Sequence, residues 1–352
     1  MMENKAFLSR TECTAMKGIA ILAIMLHNYC HWLKGIAREN EYTWNQWKND
    51  RLVEAFQQFD ESFPMHLVSY FGHYGVPVFL FLSGFGLVMK YERGSLPEAS
   101  IWRFTRYNYL KLFRIFIVGF VFFTMLDAFT PGMHRYLASE VLAMLGMYAN
   151  FLERPSEVVW PGPYWYFSVT MQLYILYRLL FYRWRHWSVV VVLMVGCWLW
   201  QFLYLDDMET LERLRYNLVG GMLPFGLGVL AGRWPLNMGS SPTVHFPVLV
   251  ISIVLIILMC FNIQSWLFVP ALIVVGTIAL VKLIPSQVMP YIVWLGSVSA
   301  AIFVTHPIVR KIFVRPYIYQ DMYAGLLLYI VATLLLSWLM KKIIDQIPSP
   351  KL

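Results

Sequence analysis

The stretch that decides the fold is Met16-Lys-Gly-Ile-Ala-Ile-Leu-Ala-Ile-Met-Leu-His27-Asn28, close to the start of the sequence. It is apolar between its lysine and its histidine, and this run predicts a helix that crosses a membrane. At 1.5 Å per residue, His27 lies about 15 Å along that helix from Lys17, which places it near the middle of a bilayer. An ionisable side chain at that depth is costly and usually faces a polar cavity, so His27 is the leading candidate for a reacting group.

The composition of the whole chain supports the same class of protein. Of the 352 residues, 59% are hydrophobic and only 14% are charged, a balance typical of polytopic membrane proteins. The four cysteines, Cys13, Cys30, Cys197 and Cys260, show no CxxC spacing, which argues against a disulfide framework or a structural zinc site. The net charge of +8 reports membrane orientation, and we do not interpret it as nucleic-acid binding.

Ten apolar segments of helical length predict an all-α, polytopic helical bundle with about ten transmembrane helices. A further apolar segment, 141–152, is too short to span and is predicted to lie at the membrane interface. The ten segments are 14–33, 68–89, 111–130, 162–181, 187–205, 217–233, 245–263, 266–284, 290–309 and 323–341.

The distribution of charge predicts that both termini are cytoplasmic. With ten spans, that orientation leaves 17 of the 28 Lys and Arg on the inner side, as the positive-inside rule requires. The exception is loop 310–322, which is placed outside although it holds Arg310, Lys311 and Arg315. We see no internal repeat and no separate soluble domain, so residues 1–352 are expected to form a single transmembrane domain.

Four polar side chains share the first predicted helix. At 100° per residue, Lys17 and Asn28 lie about 20° apart, while His27 and His31 are neighbours four residues apart. A neutral imidazole can act as general base toward a hydroxyl. The alternative is a histidine that is hydrogen-bonded within the bundle for packing. A zinc pair at His27 and His31 lacks a third ligand, and no metal is expected.

A basic stripe precedes the third predicted span. Taken as a helix, Arg103, Arg106, Lys111 and Arg114 fall within about 140° of one another. Such a stripe suits a polyphosphate or nucleotide, which arginine can bind in a bidentate way. It also suits a topology determinant that contacts anionic membrane lipid.

Three further segments carry candidate residues, each with two possible roles. The glycine-rich run from Gly72 to Gly86 favours close helix packing over a nucleophilic role for Ser83. Trp165 and Tyr174 belong to an aromatic segment that fits either an interfacial belt or stacking against a sugar ring. His306, beside a proline, is either an accessory polar group or an interfacial residue.

These segments, in this order, resemble the membrane-bound acyltransferase 3 family over nearly the whole chain. The resemblance is carried by "MKGIAILAIMLH", "GVPVFLFLSGF", the basic stripe, "WYFSVTMQLY" and "SVSAAIFVTHP". It implies transfer of an acyl group, commonly acetyl from acetyl-CoA, to a hydroxyl of a carbohydrate or cell-envelope glycan. It also implies that His27 matches the family's first-span histidine and Lys17 its usual arginine. This sequence departs from the pattern by having lysine, and by a spacing one residue shorter, with Asn28 at the usual histidine position.

On this basis the expected donor is acetyl-CoA or another acyl-CoA, bound by the basic stripe. The expected acceptor is a carbohydrate or lipid-linked glycan. Asn28, Tyr174 or Ser83 would orient the base or stabilise the oxyanion. No carboxylate near the midplane offers itself as a partner for His27, and the nearest candidate, Asp127, lies towards the outer end of the third span. The expected location is the bacterial cytoplasmic (inner) membrane, as a multi-pass protein that binds no nucleic acid; the oligomeric state stays open.

Two other functions remain open at this stage. A transporter or flippase for a glycan or anionic metabolite also explains the spans, the histidine and the basic entrance, but not the family-like segments. A non-enzymatic scaffold predicts that replacing His27 affects stability alone.

Overall fold

The computed structural model describes residues 7–94, 98–235, 239, 241–317 and 321–352. Across these residues the chain forms helices and no strands, which confirms the all-α prediction. Eight helices occupy the first half: α1 (Arg10–Cys30), α2 (Gln46–Gln58), α3 (Phe63–Phe71), α4 (Gly75–Tyr91), α5 (Ile101–Phe129), α6 (Ala138–Leu145), α7 (Pro155–Val158) and α8 (Trp165–Leu176). The other described helices are α9 (Trp187–Phe202), α10 (Met208–Arg215), α11 (Leu218–Arg233), α12 (Pro242–Cys260), α13 (Ile263–Trp266), α14 (Val269–Leu283), α15 (Met289–Ser297), α16 (Ser299–Tyr317) and α17 (Met322–Gln346).

Short irregular helical turns join several of these elements. Gly72–Tyr74, Ala149–Phe151 and Gly162–Tyr164 are 3₁₀ turns, and the first of them links α3 to α4 without a loop. The π-helical turn Tyr177–Phe181 extends α8. The apolar segment predicted to be interfacial contains the end of α6, a helix of 8 residues that is too short to span a bilayer.

Five helical stretches of the described chain have the length and composition to cross a membrane. They are α1, the continuous stretch Phe63–Tyr91, α5, α12 and α17. A sixth is obtained if α15 and the first part of α16, which meet at an angle of 71°, are counted as one broken span. The apolar helices α9, α11 and α14 are shorter. Each of the ten predicted segments falls mainly on helix, but ten crossings and cytoplasmic termini remain predictions.

The first helix begins at a capping box. The Ser9 hydroxyl accepts a hydrogen bond from the Glu12 N–H at 3.1 Å, and the Glu12 carboxylate accepts one from the Ser9 N–H at 2.7 Å. From there α1 runs between α3, α4, α15 and α16 and contacts each of them. Of the side chains that it buries, Ile21, Ile24 and Met25 belong to the bundle's largest apolar core, whereas those nearer its start belong to a second, smaller cluster.

Glycines allow the helices to approach closely, as the small-residue run had predicted. A Cβ atom at Gly84 or Gly228 would meet the backbone of the facing helix, α11 or α4 respectively. A Cβ atom at Gly72 would lie 2.7 Å from the Ala23 carbonyl oxygen and 2.7 Å from the His27 Cβ atom. The approach of α3 to α1 at Gly72 therefore sets the wall beside His27.

Candidate active site

A cavity of about 180 Å³ lies beside the last turn of α1. Its wall combines three histidines, a carboxyl group, a guanidinium, two asparagines and several aromatic rings, drawn from α1, the segment after it, the 3₁₀ turns and α16. The lining residues are Ile24, His27, Asn28, His31, Trp32, Asn40, Glu41, Tyr42, His73, Val76, Trp160, Gly162, Pro163, Trp165, Tyr216, Phe303 and Arg310.

His27 lies near the end of α1, because the helix ends at Cys30. The apolar run fixed the distance of His27 from Lys17 but not the end of the helix, and a position near the middle of the bilayer stays a prediction. Its Nδ1 atom is 2.8 Å from the carbonyl oxygen of Ser69. A carbonyl oxygen can only accept a hydrogen bond, so Nδ1 carries the proton and Nε2 holds the lone pair.

Two more histidines surround His27. The ring centroids of His31 and His73 lie 5.0 Å and 5.5 Å from that of His27. His73 is buried, and its Nδ1 atom is 3.6 Å from a carboxylate oxygen of Glu41. Within the described residues, no three His, Cys, Asp or Glu side chains are placed to hold a metal ion together.

Glu41 is the carboxylate of this site; the sequence indicated its loop as suited either to carbohydrate binding or to an amphipathic helix, but did not connect Glu41 with His27. The segment between α1 and α2 returns over the end of α1, where Arg215 donates a hydrogen bond from Nε to the Glu41 carbonyl oxygen. Burial raises the pKa of the Glu41 carboxyl to about 7, although electrostatic interactions with His27 and Arg215 oppose the shift. The available signal was that Glu41 follows the first span closely, so its loop had to pass near His27.

Asp127, the nearest candidate carboxylate in the sequence, lies outside the cavity around His27. It accepts hydrogen bonds from the Tyr136 hydroxyl at 3.0 Å and the His134 N–H at 2.9 Å, and it forms an ion pair with Lys311. It does not line the cavity. This prediction is wrong because Asp127 holds the segment that follows α5, as its hydrogen bonds to His134 and Tyr136 indicate.

Arg310 enters the cavity from α16, although its position had been assigned to an outside loop. The helix continues to Tyr317, past the apolar segment that predicted its end at residue 309. Arg310 donates a hydrogen bond from Nη1 to the Asn28 Oδ1 atom at 2.8 Å, and its guanidinium lies 4.9 Å from the Trp32 ring centre. The Asn28 amide nitrogen donates to the Ile24 carbonyl oxygen at 3.0 Å. The Oδ1 atom of Asn28 therefore holds Arg310, and one of the two N–H donors of its amide is used within α1.

The accessory residues divide into two groups. His31 and Trp165 line the cavity. His306 does not, but it is fully buried one turn before Arg310, and its Nδ1 atom is 3.1 Å from the Ile302 carbonyl oxygen. Ser83 and Tyr174 lie away from the cavity, in a polar cluster where the Ser83 hydroxyl lies close to the hydroxyls of Tyr174 and Tyr166.

The structure places Lys17 with the basic stripe and not with His27. Lys111 is close enough to Lys17, Lys90 and Arg114 to interact with them electrostatically. None of these residues lines the cavity around His27.

The residues of the basic stripe differ in their exposure. Arg103, Arg106 and Lys111 are exposed on α5. Arg114 is half-buried and donates hydrogen bonds to the Ile347 carbonyl oxygen at 3.1 Å and to the Ser349 hydroxyl at 2.5 Å. Part of its hydrogen-bonding capacity is therefore used by the C-terminal segment.

Comparisons with known proteins identify the family to which this chain belongs. The chain matches no curated protein and no solved structure. A family model described as an acyltransferase domain matches residues 12–342, nearly the whole chain. The chain therefore belongs to the membrane-bound acyltransferase 3 family, and the protein is an acyltransferase.

Proposed function

We propose that this enzyme transfers an acetyl group from acetyl-CoA to a hydroxyl of a carbohydrate or cell-envelope glycan, with His27 as the general base. The observation that carries the proposal is the hydrogen bond from His27 Nδ1 to Ser69, because it leaves the Nε2 lone pair for a substrate. In the described part of the chain, no hydrogen bond is made to Nε2. The side chain is buried but borders the cavity, so a substrate placed there can reach it.

The proposed reaction needs one base and one leaving group. His27 Nε2 takes the proton of the acceptor hydroxyl as that oxygen attacks the thioester carbonyl. The new C–O bond forms, the C–S bond breaks, and His27 returns the proton to the CoA sulfur. The nearby carboxyl of Glu41, in its ionised form, stabilises the positive charge that His27 carries between these two steps.

The cavity wall suits a sugar as the acceptor. Rings of Tyr42, Trp165 and Tyr216 contact one another, with Tyr42 and Tyr216 stacked at a centroid distance of 3.9 Å. Trp32 and Trp160 add two more rings to the same wall. Flat apolar faces with a few polar groups between them are the usual lining of a site for a small, partly polar ligand. A free or lipid-linked glycan fits this description.

The donor's phosphates are assigned to the basic cluster formed by Lys17, Lys90, Lys111 and Arg114. Lys17 is about 15 Å from His27 along α1, so phosphates held there lie one extended arm away from the base. Arg103 and Arg106 lie further along α5 toward its start and add positive charge at longer range. We place this end of the bundle at the cytoplasmic face of a bacterial cytoplasmic membrane, in a single domain formed by residues 1–352.

A line of polar and aromatic residues leads from the basic cluster toward the cavity. Lys90 donates a hydrogen bond to the Tyr107 hydroxyl at 2.8 Å and lies 5.1 Å from the ring centre of Tyr91. Tyr91 interacts electrostatically with Tyr174, and the hydroxyls of Tyr174 and Tyr166 both lie close to that of Ser83.

From Tyr166 the line reaches the cavity wall. The ring centroid of Tyr166 is 5.4 Å from that of Phe303, a residue that lines the cavity. We propose that the pantetheine arm follows this line, and that Ser83 and Tyr174 contact the donor instead of orienting His27.

The test uses purified protein in liposomes with labelled acetyl-CoA and extracted envelope glycan. We expect thioester loss and label transfer in the wild type, and a fall of about 10²–10⁴-fold in the folded His27→Gln variant, because a general base contributes that much. The matched control is His186→Gln, which changes an exposed histidine at the start of α9. Absence of thioester turnover in the wild type with several acyl-CoAs would contradict the proposal, and turnover that persists in His27→Gln would move the base to His31 or His73.

A further inference from the structure

The cavity around His27 contains a buried positive charge without a carboxylate partner. Arg310 is only 8% exposed, and of the described residues that line the cavity it is the one permanent cation. No described carboxylate oxygen lies within 4.0 Å of its guanidinium. Buried charges in proteins are normally paired, because removal from water is costly.

The guanidinium is held in place but not neutralised. Asn28 accepts one hydrogen bond from Nη1, and Trp32 offers the face of its ring. A guanidinium has five N–H donors, and the bond to Asn28 is the one that the described residues provide. The remaining donors are available to a ligand in the cavity.

The other charged group of the wall does not compensate Arg310. Glu41 is placed beside His73 and interacts electrostatically with His27 and Arg215. Its carboxyl is more than 4.0 Å from Arg310, and its raised pKa leaves it partly uncharged near neutral pH. The positive charge of Arg310 therefore has no negative partner in the cavity wall, and a neutral acceptor would not supply one.

We propose that the cavity binds an anionic acceptor, a sugar with a carboxylate or phosphate group that pairs with Arg310. The planar fork of a guanidinium matches both groups in a bidentate way. Binding of an anionic sugar does not depend on the proposed function. The identification of that sugar as the acyl acceptor does rest on it. Arg310 is thus a specificity residue, Asn28 and Trp32 position it, and the hydroxyl that is acylated belongs to an acidic sugar.

Binding can be tested without any acyl transfer. The probes are methyl glucuronide, methyl glucoside 6-phosphate and the neutral methyl glucoside, titrated calorimetrically into the detergent-purified full chain. We expect at least one anionic probe to bind about tenfold or more tightly than the neutral one, as for a hydrogen-bonded charged group. Preference for the glucuronide assigns a carboxylate, and preference for the 6-phosphate assigns a phosphate. Equal affinity for all three probes, or none for the anionic ones, would overturn the proposal.

Variants assign that preference to Arg310. Arg310→Gln should bring the affinity ratio of anionic to neutral probe to about one, because the charge is gone. Arg310→Lys, which keeps the charge but not the fork, should retain part of the ratio. A ratio that persists in Arg310→Gln would contradict the assignment. His27→Gln should keep the preference, so binding data stand even if no thioester turnover is found.

Kinetics separate this role from stabilisation of the oxyanion. In the wild type, the anionic acceptor should have the higher kcat/KM, with the difference carried by KM. In Arg310→Gln that difference should disappear. If the variant instead loses kcat by the same factor on both acceptors, Arg310 acts on the reaction itself and the proposal fails.

Discussion

At the scale of single residues, the orientation of His27 depends on two neighbours without reactive groups, Ser69 and Gly72. The Ser69 carbonyl oxygen fixes which ring nitrogen carries the proton. Gly72 lets the backbone of α3 come within contact of α1 at Ala23 and His27. The sequence marked His27 because a polar residue interrupts an apolar run, but it carried no sign of its distance to Ser69.

Gly72→Ala is predicted to impair catalysis. The added methyl group would lie 2.7 Å from the His27 Cβ atom, so either the ring or α3 must move. A displacement of about 1 Å at a catalytic group can cost about 10²-fold, and we expect a kcat loss of that order. The measurement is acetyl-CoA turnover in liposomes, alongside Gly86→Ala, whose methyl group would meet open space. Equal turnover by the two variants would show that the approach at Gly72 does not position His27.

At the scale of elements, the helices were predictable and their ends were not. Apolar runs locate helices well, but α16 continues to Tyr317 after its apolar run has ended. Arg310 lies in this extension, and a charged residue after an apolar run is typical of a loop. Its side chain is nevertheless buried against Asn28 and Trp32. Tertiary contacts of this kind decide where a helix ends, and one sequence does not contain them. For the same reason, the sequence did not show that the segment after α1 places Glu39 and Glu41 inside the protein.

Glu39 gives the segment after α1 a pH-dependent stability. Its side chain is 1% exposed, and burial raises its pKa to about 7, against the opposing charge of Lys48 at 3.9 Å. The pKa is higher in the folded state than the ordinary 4.5, so the folded state binds the extra proton between these values. The contribution of Glu39 to stability therefore falls as pH rises from about 4.5 toward 7.

Glu39→Gln should remove this dependence. We expect the variant to unfold at a higher temperature than the wild type at pH 8, where the wild type must bury a charge, and the difference to shrink at pH 5.5. Thermal unfolding in detergent at the two pH values measures it. Glu153→Gln, at an exposed position, serves as the control and should show no such difference. A Glu39→Gln variant that is less stable than the wild type at pH 8 would mean that the Lys48 ion pair outweighs the cost of burial.

At the scale of the whole molecule, the candidate groups lie at two separate levels of the bundle. The sequence identified both levels, since Lys17 and His27 are marked by their positions in one apolar helix. It could not assign partners to them: His73, Arg310 and Glu41 reach His27 from other elements, and Lys90 joins the basic cluster from the end of α4. Between the two levels lie Ser83, Tyr166 and Tyr174; the sequence analysis had placed Ser83 and Tyr174 beside His27 instead.

The connection between the two levels is testable at Ser83, because its hydroxyl lies close to those of Tyr166 and Tyr174. Ser83→Leu fills the space between these rings, and added bulk in a packed site displaces its neighbours. If the pantetheine arm passes there, we expect acetyl-CoA turnover to fall about tenfold or more. Gly86→Leu places the same side chain on the same helix in open space and should retain turnover. Ser83→Ala removes the hydroxyl without adding bulk, so a smaller loss in that variant would identify obstruction as the cause. Binding of a sugar probe in the cavity should survive in all three variants, because Ser83 and Gly86 do not line it. If Ser83→Leu turns over acetyl-CoA as fast as Gly86→Leu, the donor must reach His27 by another path. The proposal that the basic cluster around Lys17 binds the donor's phosphates would then lose its support.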